Sequence, residues 1–421
     1  MPLALQSLMG FIVLFVFAWA ISEKRHAIPW RTVFAAIILQ VVMGAVLYNF
    51  PYFEQWTLAL NDALNGVQAA TLEGSKLVFG YVGGGDAPFK IENKGNFFVL
   101  ATQAFPLIIV VSALSALLFY WKILPVVVNA FSWVLRRTIG VGGAVGVSTA
   151  ANIFLGTVEA PMFIKPYIAK LSRGELFIVM TGSLAGIAGT VMALYAFILR
   201  DIMPSAISHI LIVSFISAPA AIAFSALMVP HEGPVTDGII AKGAVADSAM
   251  DAVTQGTVDG VQIFINIVAM LLVLTALIAI ANQIFASNVL SFLPNIGGKP
   301  MTVQSIFGWV MSPIVWLTGI PWAEAEAAGA LMGTKTVLNE LVAYVDMAKL
   351  PAGTLSPRST VIMIYSMCGF ANFASLGILI GGMGTMCPER RAEIIELGYR
   401  CLISGTLSTL SCGALIGIMY R

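Results

Sequence analysis

Residues 151–161 read A-N-I-F-L-G-T-V-E-A-P. An apolar run there meets a glycine, a threonine, a carboxylate and a proline between Gly156 and Pro161. What surrounds Glu159 decides the fold. Hydrophobic residues make up 59% of the chain and charged residues 10%, with a mean hydropathy of +0.92. A soluble domain carries about a quarter charged residues. A chain this poor in charge has most of its surface against lipid or another subunit, so it reads as an all-α polytopic membrane protein.

The balance of charge is nearly even, +1 with a pI of 7.6, which excludes a nucleic-acid partner. Cys368, Cys387, Cys401 and Cys412 have no metal-ligand spacing, and His26, His209 and His231 are scattered. The first apolar run lacks a basic leader and a small-residue cleavage site, so it reads as a retained span.

A bilayer crossing takes roughly 20 apolar residues. Eight candidates run over 5–21, 33–50, 97–120, 176–199, 207–228, 261–285, 361–386 and 394–420. The mixed stretch 52–96 and the stretch 122–137 each predict a helix lying at the interface. Two further apolar regions, 141–168 and 303–344, are too long for one crossing. Gly and Pro break them at 156–161 and 318–321, and the second turns polar around Lys335 to Glu340. Both predict re-entrant hairpins, because non-helical backbone at membrane depth survives only against protein or a water-filled cavity.

With the N-terminus outside, inner loops collect Lys24, Arg25, Arg31, Lys122, Arg136, Arg137, Lys165, Lys170, Arg173, Lys242, Arg390, Arg391 and Arg400, more than half of the 22 basic residues. Both termini are then periplasmic, in a multi-pass protein of the cell inner membrane. The loop 230–239 reads as cytoplasmic. The first hairpin is followed by a Gly-rich span (183–191) and a plain span, the second by a span interrupted at 369–375 and a plain span, with one extra crossing between the two units. That crossing inverts one unit against the other, the pattern that points to a transport site at the midplane. The divisions are 1–121, N-terminal scaffold spans with an interfacial helix; 122–228, the first repeat; 229–286, a loop and a central scaffold span; and 287–421, the second repeat.

Glu159 and Glu340 fall in matching hairpins. A carboxylate at that depth is costly, and it can bind two sugar hydroxyls through charge-assisted bonds or take up a proton. For Glu340 the competing reading is an ion pair with Lys335. Asn152 before the first break and Asn372 in the second unit's interrupted span can each donate and accept. They suit a polar ligand or a dehydrated alkali cation, and the alternative is helix-to-helix glue. Ser375 shares a helical face with Asn372. Carbonyls at Leu155 and near Ile187 would complete an oxygen cage. No metal-ligand set, no nucleophile beside a base and no cofactor loop supports an enzyme, and inverted broken hairpins suit alternating access better than a passive channel.

These motifs resemble the concentrative nucleoside transporters, over nearly the whole chain and in their eight-span bacterial form. G-T-K-T-V-L-N-E-L-V-A-Y (333–344) is similar to the family's G-x-K-x-x-x-N-E-F-V-A block. C-G-F-A-N-F-A-S-L-G-I (368–378), G-I-P-W-A-E-A (319–325) and the opening stretch carry the rest. The resemblance implies scaffold and transport subdomains, a homotrimer, and elevator-type symport of a nucleoside with sodium. Ribose contacts would fall on Glu159, Glu340, Asn372 and Ser375. Phe370, Val191 and Ile263 would line the base. Sodium would take Asn152 and the carbonyls of Leu155 and Ile187. Two departures follow. Where the family has Gln then Thr or Ser reaching the base, this chain has Thr157 and Val158. Where the family's sodium site has a serine hydroxyl, it has Gly186. The first leaves the favoured base open, and another ribosyl compound or a nucleobase remains an alternative cargo. The second leaves proton coupling as the alternative to sodium.

Overall fold

The computed structural model describes residues 2–90, 97–231, 233–238, 246–286 and 302–420. Lys242 and the boundary at 287 lie outside them, as do parts of the 230–239 loop. The described residues form helices and no strand.

The chain opens with α1 (Leu3–Ala20), α2 (Trp30–Asn49) and α3 (Pro51–Phe79), then α4 (Leu100–Gln103) and α5 (Pro106–Tyr120). The first repeat follows as α6 (Ile123–Ile139), α7 (Gly143–Ala151), α8 (Glu159–Met162), α9 (Lys165–Ile168), α10 (Arg173–Ala185), α11 (Gly189–Leu199) and α12 (Ala206–Met228). After α13 (Ala249–Ala286) the second runs α14 (Val303–Leu317), α15 (Trp322–Val337), α16 (Glu340–Ala348), α17 (Pro357–Met367), α18 (Phe373–Met386) and α19 (Arg391–Met419). Seven stretches among the described residues are long and apolar enough to cross a membrane. The eighth expected span, 361–386, is the pair α17 and α18, broken over 368–372. The interfacial readings correspond to α3, which carries Asp62, Glu73 and Lys76, and to α6.

The second hairpin needs a correction. Its expected break at 318–321 is a corner of 118° between α14 and α15, and the re-entrant pair is α15 with α16, turning at Leu338–Asn339. Gly319 supplies the corner with φ +107°, in the region where a side chain is strained. The carbonyls freed there are taken by α1: Gln6 Nε2 donates to Ile320 O at 3.0 Å and Ser7 Oγ to Thr318 O at 2.9 Å. Two buried polar residues in an otherwise apolar span thus satisfy backbone groups more than 300 positions away. Helix α14 thereby becomes the second repeat's counterpart of α6.

Contacts fix the inversion. Arg173 at the start of α10 donates to Glu23 (2.9 Å) and to Glu396 of α19 (2.8 Å). Arg390 donates to the carbonyls of Ile168 and Leu171 at the end of the first hairpin. That hairpin also starts here, since Ala144 N–H donates to Thr236 O and Thr236 donates to Glu175. The second hairpin belongs to the opposite face. Its corner meets Ser7, Arg358 Nη2 donates to Ser7 Oγ at 2.9 Å, and Ser356 donates to Glu324. The two hairpins therefore enter from opposite faces and turn back inside.

The Arg173 guanidinium holds the Glu23 carboxyl below its usual range, first by hydrogen bonding and further by its charge. A depressed carboxylate contributes stability above its unfolded pKa and loses it as pH falls through the folded one. The apparent Tm is therefore expected to fall as the pH drops below about 5, and Glu23→Gln should flatten that fall. An equal slope in the variant would show that this cluster does not set the acid limb.

Candidate functional site

Both repeats break a helix near the hairpin that precedes it. In the first, α10 stops at Ala185 and α11 resumes at Gly189; in the second, α17 stops at Met367 and α18 resumes at Phe373. The breaks meet: Phe370 N–H donates to Gly186 O at 3.1 Å. Gly189 N–H donates to Phe154 O at 3.1 Å, which seats the first hairpin's turn on the first break. Backbone groups freed at one break thus find partners on the other break and on the first hairpin's turn.

Asn372 and Asn339 explain why two helices restart where they do. Each side-chain oxygen accepts a backbone N–H of its own first turn, Ser375 N–H at 2.8 Å and Val342 N–H at 3.0 Å, as N-caps do. Capping fixes the orientation of Asn372, so Nδ2 points away and donates to Glu340 Oε2 at 3.1 Å. Glu340 Oε1 accepts from Tyr195 OH at 2.6 Å. Glu340 is 3% exposed and begins α16, where a helix N-terminus favours negative charge. Tyr195 is buried against Tyr344, ring centroids 5.2 Å apart, and Tyr344 OH is anchored on Ile364 O at 2.8 Å.

Glu340, Asn372 and Ser375 are thus brought together, and Phe370 sits half-buried in the same break. Tyr195 is the member that sequence reasoning missed. It lies four residues after Val191, on the same face of α11, and that spacing was the available signal. The competing ion pair is absent: Lys335 is fully buried, yet its Nζ makes no hydrogen bond among the described residues.

The other carboxylate differs from the expectation of a buried group. Glu159 opens α8 with its side chain exposed, while Thr157 is buried. Val158 packs on the second repeat, since a Cβ at Gly382 would lie 2.6 Å from Val158 Cγ1. No described contact joins Glu159 to Glu340. Ile263 stands half-buried on α13, which packs against α5.

Asn152 ends α7 and donates through Nδ2 to Gly182 O. Its Oδ1 is buried without a hydrogen-bond partner among the described residues, an acceptor open to a cation or a donor. A Cβ at Gly186 would lie 2.5 Å from Asn152 Nδ2. The amide thus occupies the space a serine side chain would need. Leu155 and Ile187 lie in the flanking turn and break. Among the described residues no three His, Cys, Asp or Glu side chains cluster as a metal site, and all four cysteines are buried thiols.

Residues 209–417 match the family described as Na+ dependent nucleoside transporter C-terminus, residues 9–82 its N-terminus, and residues 101–201 a segment described as nucleoside recognition. The nucleoside permease NupC of Helicobacter pylori is 31% identical, across 99% of this chain and 97% of its own. The chain belongs to the Na+-dependent nucleoside transporter family. An uncharacterized transporter of Haemophilus influenzae is 35% identical over 98% of this chain and 97% of its own. The solved transporter CNTnw, in an inward-facing substrate-bound state, superimposes with a TM-score of 0.89 at 32% identity, covering all of both chains. A doubly substituted CNTnw solved in an outward-facing state matches at 0.88. A member of the Na+-dependent nucleoside transporter family is a transporter and not an enzyme, with eight spans and two re-entrant hairpins in inverted repeats.

Proposed function

We propose that this chain imports nucleosides across the inner membrane as a cation-coupled symporter, moving a transport subdomain elevator-fashion within a homotrimer whose termini are periplasmic. The observation that carries the reading is Glu340, a buried carboxylate held by Tyr195 and Asn372 where the second hairpin meets the second break. Two oxygens with spare lone pairs there suit vicinal sugar hydroxyls. Glu159, Asn372 and Ser375 share the ribose, while Phe370, Val191 and Ile263 line the base beside Thr157 and Val158. Sodium is the favoured coupling ion, held by Asn152 Oδ1 with carbonyls of Leu155, Gly186 and Ile187. The partnerless Oδ1 supports it.

One observation favours a second reading, proton coupling: Gly186 has no hydroxyl, and the Asn152 amide fills the space where one would project. Uptake of a labelled nucleoside panel into proteoliposomes, with sodium and proton gradients imposed separately, tests both. Accumulation under sodium alone supports the sodium site, and accumulation under protons alone moves coupling to a carboxylate. No accumulation under either would overturn the nucleoside reading.

The base is tested at the hairpin turn. Thr157→Gln together with Val158→Thr is expected to shift preference toward uridine by about tenfold, one good hydrogen bond's worth. Thr keeps the shape of Val against Gly382, so the turn stays seated. An unchanged base profile would mean these positions do not read the base.

A further inference from the structure

The tip of the second hairpin places a cation in the last turn of α15 and a carboxylate in the first turn of α16. Those are the helix ends at which each sign is stabilised. Lys335 is fully buried, and its ammonium has no hydrogen-bond partner among the described residues. The donors to Glu340 come instead from Tyr195 and Asn372. A buried ammonium left without a direct partner is costly, and its neighbours should explain its presence.

Helix α15 packs against α16, which Glu340 opens, and against α17 and α18, which flank Cys368. Cys368 is the first residue of the α17–α18 break. Lys335 is therefore placed between a hairpin arm and the break of the helix pair that follows. The first repeat has the same arrangement at Asn152: the end of a hairpin arm, beside the break at Gly186, with a buried oxygen that has no partner. One repeat offers an acceptor there, and the other supplies a positive charge.

We infer that Lys335 is a tethered cation, standing in the second repeat where the first keeps its exchangeable cation site, and that it acts as a positioning residue which keeps Glu340 charged and aimed at the sugar. This rests on the reading of Glu340 as the sugar-binding carboxylate. The titratable groups facing Glu340 are Tyr195 from α11, Tyr344 on its own helix, Cys368 from the break and Lys335. Lys335 is the only base among them.

The test is equilibrium binding of labelled uridine and adenosine to the purified full-length protein between about pH 6 and pH 9. Wild type and Lys335→Arg should vary by less than about threefold across that range. Lys335→Met should bind at least about tenfold more weakly at pH 7 and recover by pH 9, where a carboxyl without its counter-charge sheds its proton. Tyr195, Tyr344 and Cys368 remain in every variant, so their titration cancels from the comparison. A flat profile in folded Lys335→Met overturns this inference alone. Failure of wild type to bind either nucleoside overturns it together with the proposed function. If Lys335→Met does not fold, adding Glu340→Gln should restore the fold by removing both charges, and failure to restore it counts against the pairing.

Discussion

Glu340→Gln is expected to lower nucleoside uptake at least about 100-fold, because it removes charge-assisted bonds worth roughly 1.5–3 kcal/mol each. The geometry makes the substitution worse than a loss of charge. Asn372 Nδ2 and Tyr195 OH both donate to this carboxylate, and a glutamine side chain turns an N–H toward one of them. Asn372 cannot flip to accept, since its oxygen is committed to Ser375 N–H. Only the tyrosine hydroxyl can reverse. Proteoliposome uptake beside a melting curve separates lost function from lost fold, and uptake within twofold of wild type would remove Glu340 from the site. Tyr195→Phe should cost less, about tenfold, since one donor remains. Glu159→Gln should also abolish uptake, with little change in Tm because the residue is exposed.

Asn152→Leu carries the second large effect. The variant loses the buried Oδ1 proposed to face the cation and the amide donor to Gly182 O, while keeping about the same bulk. Sodium-driven accumulation is expected to need at least about thirtyfold more sodium for half-maximal effect, corresponding to about 2 kcal/mol. Under the proton-coupled reading, proton-driven accumulation would survive the same substitution. Sodium-driven accumulation left intact would show that Asn152 is not a ligand. Restoring serine at 186 does not simply restore a hydroxyl, because the Asn152 amide must first give way.

The spans were legible because unbroken apolar runs have one meaning at this length, and the first hairpin because Gly156 and Pro161 break such a run beside a carboxylate. The second hairpin was misplaced for the same reason. Gly319 and Pro321 are louder than Leu338–Asn339, yet they make an outer corner, while the inner turn relies on Asn339 as a cap. A capping asparagine is hard to tell from a ligand asparagine in sequence, and Asn372 is positioned by capping so that it can also bind Glu340. Tyr195 was hidden because an aromatic in an apolar run reads as lipid-facing. Its spacing from Val191 could mark the face, but its partner lies 145 positions away. Gln6 and Ser7 were silent for the same reason.

The hydrogen bond from Phe370 N–H to the Gly186 carbonyl joins the break proposed to hold the ion to the break proposed to hold the sugar. Whatever quiets the motion of one break quiets the other. Under the proposed reading, an ion beside Gly186 would give the nucleoside a pocket whose second wall is already ordered, and cooperativity would follow without any large rearrangement. Hydrogen exchange at the Phe370 amide would register both arrivals: slower with the ion alone, and slowest with both.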